Sequence, residues 1–89
     1  MIRRHVIVHG QVQGVGFRYS AREQAIRRDV TGYVRNQADD SVEVDIEGSE
    51  AAVASMLEWL KAGPWGAEVS SLTVTELEPT GHSGFDIRY

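Results

Sequence analysis

Hydrophobic positions recur with a period of two in some stretches of this chain and of three to four in others, and the switches between them lay out its elements. From about Arg4 to His9, Val6 and Val8 fall on one face and His5, Ile7 and His9 on the other, which predicts a first strand. Phe17, Ala21 and Ala25 recur every four residues and predict a helix from about Phe17 to Arg28, with Arg27 and Arg28 near its negative C-terminal end. Val30 to Asn36 reads as a second strand. Val42, Val44 and Ile46 then alternate with Glu43, Asp45 and Glu47 as a half-buried third, and Gln37-Ala38-Asp39-Asp40-Ser41 is the polar hairpin between the two. Val53, Met56, Leu57 and Leu60 share one helical face, with Ser49 as N-cap and Gly63-Pro64 as the stop. Val69 is out of phase with Leu72 and Val74, so a bulge or bend is expected near Ser70-Ser71 before a strand reaching about Glu78. Pro79 to Gly84 is a loop, and Phe85, Ile87 and Tyr89 mark a short last strand.

The element order is β-α-β-β-α-β with one terminal strand added. It predicts an α+β, ferredoxin-like split β-α-β sandwich: a sheet containing antiparallel pairs, with two helices on one face. With 89 residues, 42% of them hydrophobic, the chain builds one domain whose core is a single sheet covered on one side. It has no cysteine, which excludes disulfides and thiolate zinc sites. The N-terminal run Val6-Ile7-Val8 is too short for a secretory signal, and no later run is long enough to span a bilayer. The expectation is a cytoplasmic protein.

The net charge of −4 is unevenly spread. Residues 1–36 carry seven of the nine basic residues against Glu23 and Asp29, while residues 37–89 carry eleven acids against Lys61 and Arg88. A small anion is drawn to the N-terminal part, whereas the acidic remainder repels a long polyanion such as nucleic acid. Solvated faces of unequal sign give the same pattern.

The chemistry concentrates in Gly10-Gln11-Val12-Gln13-Gly14-Val15-Gly16-Phe17-Arg18, a loop between the first strand and the first helix. Gly14 and Gly16 allow left-handed backbone, which can turn successive N–H groups around one anion. Arg18 sits where the free N–H groups and positive dipole end of the helix point, and its planar guanidinium matches two phosphate oxygens. From the loop alone, a tight turn with a surface arginine is the commoner explanation. Topology adds a second residue. A right-handed crossover makes the first two strands parallel, so Asn36 ends the second strand beside this loop. Asn36 also shares phase with Val34, which faces the helices, so Arg18 and Asn36 are expected at one site. Taken alone, Asn36 reads equally as an ordinary strand-ending residue.

The run from Val8 through Arg18, followed by Gly32-Tyr33-Val34-Arg35-Asn36, resembles the acylphosphatase family. Gly63-Pro64 and the ending Phe85-Asp86-Ile87-Arg88-Tyr89 extend the resemblance over nearly the whole chain, residues 1–89 as one such domain. Two departures are visible: Asp39-Asp40-Ser41 stands where an Asp-Gly turn is usual, and Trp65-Gly66 lies in a variable stretch. The resemblance implies hydrolysis of the carboxyl–phosphate bond of a small acyl phosphate, with no metal, cofactor or covalent intermediate. It further implies that Arg18 and the loop Gln13, Gly14, Val15, Gly16 and Phe17 bind phosphate, and that Asn36 positions water. A carboxylate is already a good leaving group, so binding, alignment and charge neutralisation suffice. Inorganic phosphate is then both product and inhibitor, and the protein is expected to act as a monomer without nucleic acid or membrane.

Other polar residues offer less. His5 and His9 lie four residues apart on one strand face, too far for one metal ion, and His82 is in a distant loop. Tyr33 and Trp59 read as packing residues, and Gly32-Tyr33-Val34-Arg35 lacks the aromatic pattern of an RNA-recognition strand. Two rival functions remain: a non-catalytic anion-binding module on the same fold, and a domain of a larger carbamoyltransferase of hydrogenase maturation, which begins with a similar loop.

Overall fold

Val6 and Val8 are fully buried because the strand that carries them runs through the interior of the sheet. The computed structural model describes all residues from Met1 to Tyr89. Strand β1 (Ile2–Gln11) is followed by helix α1 (Phe17–Arg27), β2 (Thr31–Asn36), β3 (Val42–Gly48), α2 (Glu50–Ala62), β4 (Glu68–Leu77) and β5 (Phe85–Arg88). The sheet order is β4-β1-β3-β2-β5. β1 pairs antiparallel with both β3 and β4, β3 pairs antiparallel with β2, and β5 joins β2 in parallel. Val6 therefore lies opposite Val44 on one side and Val74 on the other. Both helices pack on the face carrying Val6, Val8, Val34, Val44 and Ile46, with Phe17, Ala21 and Ala25 of α1 and Val53, Met56 and Leu60 of α2 as the opposing layer. The architecture is the ferredoxin-like α+β sandwich that the element order predicts.

β1 is longer than its apolar alternation, since Ile2 still pairs with Gly48 and Gln11 with Glu68. The expected bulge is present. His9 lies opposite Ser71 but Gly10 lies opposite Val69, leaving Ser70 as the extra residue. Gly10 makes this close approach possible: its φ is 128°, and a Cβ there would come within 2.1 Å of the Glu68 carbonyl oxygen. α2 starts where Ser49 Oγ accepts from the Ala52 N–H at 3.1 Å and stops at Gly63, whose N–H donates to the Trp59 carbonyl at 2.8 Å.

The third strand departs from expectation. Its alternation of valine and isoleucine with acids predicts one wet face, yet all seven residues of β3 are buried. β3 is central, and long side chains from its neighbours close over its polar face. Arg3 grips Asp45 with two hydrogen bonds, of 2.9 and 3.0 Å. Glu43 receives His5 at 2.7 Å and Arg35 at 2.9 Å, and accepts from the Tyr33 hydroxyl at 3.3 Å. The β4–β5 loop folds back so that the N–H groups of Thr80 and Gly81 each donate to Glu47 at 2.8 Å. The outer face of the sheet is thus a second, ionic layer.

Candidate active site

Since β1 and β2 both run antiparallel to β3, their C-terminal ends lie at the same end of the sheet. The loop leaving β1 and the last residue of β2, Asn36, meet there. Val12, Gly14, Gly16, Phe17, Arg18, Tyr19 and Asn36 line one cavity of about 180 Å3. Val12 and Phe17 anchor the two ends of the loop in the core, Phe17 lying against Trp59 with ring centroids 5.7 Å apart.

Between these anchors the backbone turns through Gly14 (φ 76°) and Gly16 (φ 72°). A Cβ on either would meet nothing within 4 Å, so the requirement for glycine is conformational and the space beside the loop is open. Gly16 is the N-cap of α1 and no side chain caps that end. The first helical bond runs from the Ser20 N–H to the Gly16 carbonyl at 3.0 Å, and no amide from Gly14 to Tyr19 donates to a backbone carbonyl. The uncapped start of α1, with the positive end of its dipole, thus borders the cavity that Gly16, Phe17, Arg18 and Tyr19 line.

Arg18 is half-buried and forms no ion pair with a carboxylate. Its guanidinium instead lies over the Tyr89 ring, 4.6 Å from the centroid. A cation–π contact of this kind orients a guanidinium without cancelling its charge. The Tyr89 hydroxyl meets that of Tyr19 at 3.0 Å, a hydrogen bond that pushes the Tyr89 hydroxyl above the ordinary tyrosine range. Asn36 is half-buried at the rim of the cavity, with its side-chain amide free of intramolecular partners.

Gly14, Gly16, Phe17, Arg18 and Asn36 come together as the sequence predicts. The side chains of Gln13 and Val15 do not line the cavity. Gln13 Nε2 donates to the Gln37 and Ser41 carbonyls, both at 2.8 Å, and Val15 packs against the core. Val12, Tyr19 and Tyr89 belong to the site or its border and were not singled out from the sequence. The signal for Tyr89 was topological: a last strand lying parallel beside β2 must end where β2 ends.

The histidines lie elsewhere. His9 meets Thr73 Oγ1 at 3.0 Å on the outer face, His5 meets Glu43, and His82 meets Asp86 at 3.2 Å. No three or more histidine, cysteine, aspartate or glutamate side chains gather as a metal-binding group, and no helix is long and apolar enough to cross a membrane. A larger groove of about 530 Å3 runs between α2 and β4 but contains none of the predicted residues.

The fold and site together define a ferredoxin-like α+β sandwich in which a glycine-punctuated loop sets an arginine beside a strand-ending asparagine, and comparison with known proteins places this class of protein more closely. The family model for Acylphosphatase matches residues 4–87. The chain is 49% identical over 86 residues to an acylphosphatase of Haloquadratum walsbyi, covering 97% of this chain and 92% of that one. It is 43% identical over 89 residues to an acylphosphatase of Anaeromyxobacter dehalogenans, covering 99% and 96%. The crystal structure of acylphosphatase from Bacillus subtilis superposes with a TM-score of 0.96 at 41% identity, with all of both chains covered. The chain belongs to the acylphosphatase family.

Proposed function

We propose that the protein hydrolyses acyl phosphates to a carboxylate and inorganic phosphate, acting on small molecules as a cytoplasmic monomer of one domain and requiring neither metal nor cofactor. The phosphoryl group sits in the loop, with the amides of Gln13, Gly14, Val15, Gly16, Phe17 and Arg18 turned toward its oxygens and the Arg18 guanidinium neutralising the charge that grows on them. Asn36 holds a water in line with the departing carboxylate, its carbonyl accepting from the water and its NH2 free to donate. The water oxygen forms the new bond to phosphorus as the bond from phosphorus to the acyl oxygen breaks. The electron pair of that bond leaves with the carboxylate, and the water's proton passes to a phosphate oxygen. The products are one carboxylate and one dihydrogen phosphate.

The observation that carries this reading is the shared cavity. One unpaired guanidinium, an uncapped helix start and one free carboxamide face the same small space. Turnover of benzoyl phosphate by the purified chain separates an enzyme from a non-catalytic anion-binding module. Arg18→Ala is expected to lower kcat/KM by on the order of 10³-fold, by analogy with other transition-state arginines. Asn36→Ala is expected to lower kcat by roughly 10²-fold with a smaller change in phosphate affinity, as for loss of a preorganised polar group. Inorganic phosphate should compete with substrate. A folded Arg18→Ala protein with near-normal turnover would refute the mechanism.

A further inference from the structure

We infer that Gln13 is a positioning residue, whose side chain fixes the phosphate loop to the turn that carries Asn36. The inference rests on the assignment of Arg18 and Asn36 to phosphate and water. Gln13 Nε2 donates to two acceptors, the Gln37 and Ser41 carbonyl oxygens, each at 2.8 Å. Both partners are acceptors only, so the NH2 end of the side chain must face them, and both of its hydrogens are used. Gln37 is the residue directly after Asn36. Ser41 closes the same turn, its carbonyl also accepting from the Gln37 N–H at 2.9 Å. One carboxamide therefore grips both sides of the turn at its base, next to the end of β2.

No other hydrogen bond joins the loop to this turn. The only backbone bond made by residues 12–16 outside the strands is the one from Ser20 to the Gly16 carbonyl. The turn itself is stiffened, since the Ser41 N–H and hydroxyl both donate to Asp39 Oδ1, at 3.1 and 2.5 Å. With a rigid turn on one side and Val12 and Phe17 fixing the loop on the other, Gln13 sets the distance between the bound phosphoryl group and the Asn36 carboxamide. In-line attack is sensitive to that distance, because a displacement of about 1 Å can cost up to 10²-fold in rate.

Gln13 works through Asn36, so its removal should affect chemistry more than phosphate binding, and should matter only while Asn36 is present. The test is a double-mutant cycle on benzoyl phosphate with Gln13→Ala, Asn36→Ala and the pair, together with the Ki for inorganic phosphate. Gln13→Ala is expected to lower kcat roughly 10-fold, short of the full cost of a misplaced group. It should leave the Ki within about twofold and slow the Asn36→Ala enzyme by less than about twofold, a departure from the equal slowing in both backgrounds that independent sites would give. Gln13→Met, similar in length but without a donor, should reproduce the alanine result and serves if that variant fails to fold. Equal slowing in both backgrounds would overturn the inference, as would a Ki rising as much as kcat falls. If Asn36→Ala alone kept wild-type turnover, the water-positioning assignment would fall instead, and the tether with it.

Discussion

Arg18 carries a full charge into a cavity that contains no other ionised side chain. A salt bridge would have held it as firmly as the Tyr89 ring does, but would have offset part of the charge a phosphate needs. Asn36 is neutral and does not titrate, and a guanidinium keeps its proton throughout the usable range. Nothing assigned to the mechanism switches near neutrality, so kcat on benzoyl phosphate should vary less than about twofold between about pH 6 and 8, where an ordinary histidine changes charge. His9 is the nearest imidazole in sequence, but its ring meets Thr73 at 3.0 Å on the outer face of the sheet. His9→Gln should leave the profile unchanged. An inflection near about pH 6.5 that disappears in this variant would replace the positioned water with general-base catalysis.

Among the elements, the turn from β2 to β3 closes without a glycine. Asp40 occupies a left-handed conformation, φ 75°, where glycine is the unstrained choice. Asp39 compensates by accepting from the Ser41 N–H and hydroxyl. Asp40→Gly should relieve the Cβ crowding and raise stability by about 0.5 kcal/mol, the extra freedom of the unfolded chain offsetting part of the gain. Urea unfolding at constant m-value checks this, and a loss of stability would mean that the Asp40 side chain contributes more than its backbone costs. The rest of the element pattern was legible wherever one face is apolar: Val6 and Val8, the heptad-like stripe of α2, and the phase break that marks the bulge at Ser70. The burial of Glu43, Asp45 and Glu47 was not. Alternating acids look like a solvent face, and only the sheet order brings Arg3, His5 and Arg35 over them, while the loop at Thr80 arrives from 33 residues away. The same held for the site. The glycine loop and Asn36 could be brought together by crossover topology, but Tyr89 required knowing on which side of β2 the last strand adds.

At the scale of the whole molecule, the sheet is held between two unlike layers. Helices and aliphatic side chains cover one face, and on the other a line of carboxylates on β3 gathers cations, hydroxyls and loop amides. Two of these carboxyls are held below the ordinary glutamate range. For Glu47 the main cause is the hydrogen bond from the Thr80 N–H, with that from Gly81 adding to it and burial opposing. For Glu43 burial pushes upward, but the hydrogen bond from His5 and the Arg35 charge outweigh it. A carboxyl whose folded pKa lies below its unfolded value binds fewer protons in the native state, so its contribution is complete above the unfolded pKa. That contribution fades as pH falls through the folded pKa. The ionic layer should therefore weaken in acid while the aliphatic layer does not. Glu47→Gln isolates the effect, because the amide keeps one acceptor but turns an NH2 toward the N–H groups of the β4–β5 loop. The substitution should cost about 2 kcal/mol at pH 7, as for hydrogen bonds to a charged group. At about pH 3, below the ordinary glutamate pKa, the gap should be narrower, closing fully only once pH falls below the lowered folded value and both proteins carry a neutral side chain at this position. Urea unfolding of the two proteins at both pH values measures the difference directly, and an equal gap at each would mean that the Glu47 charge contributes nothing to the fold.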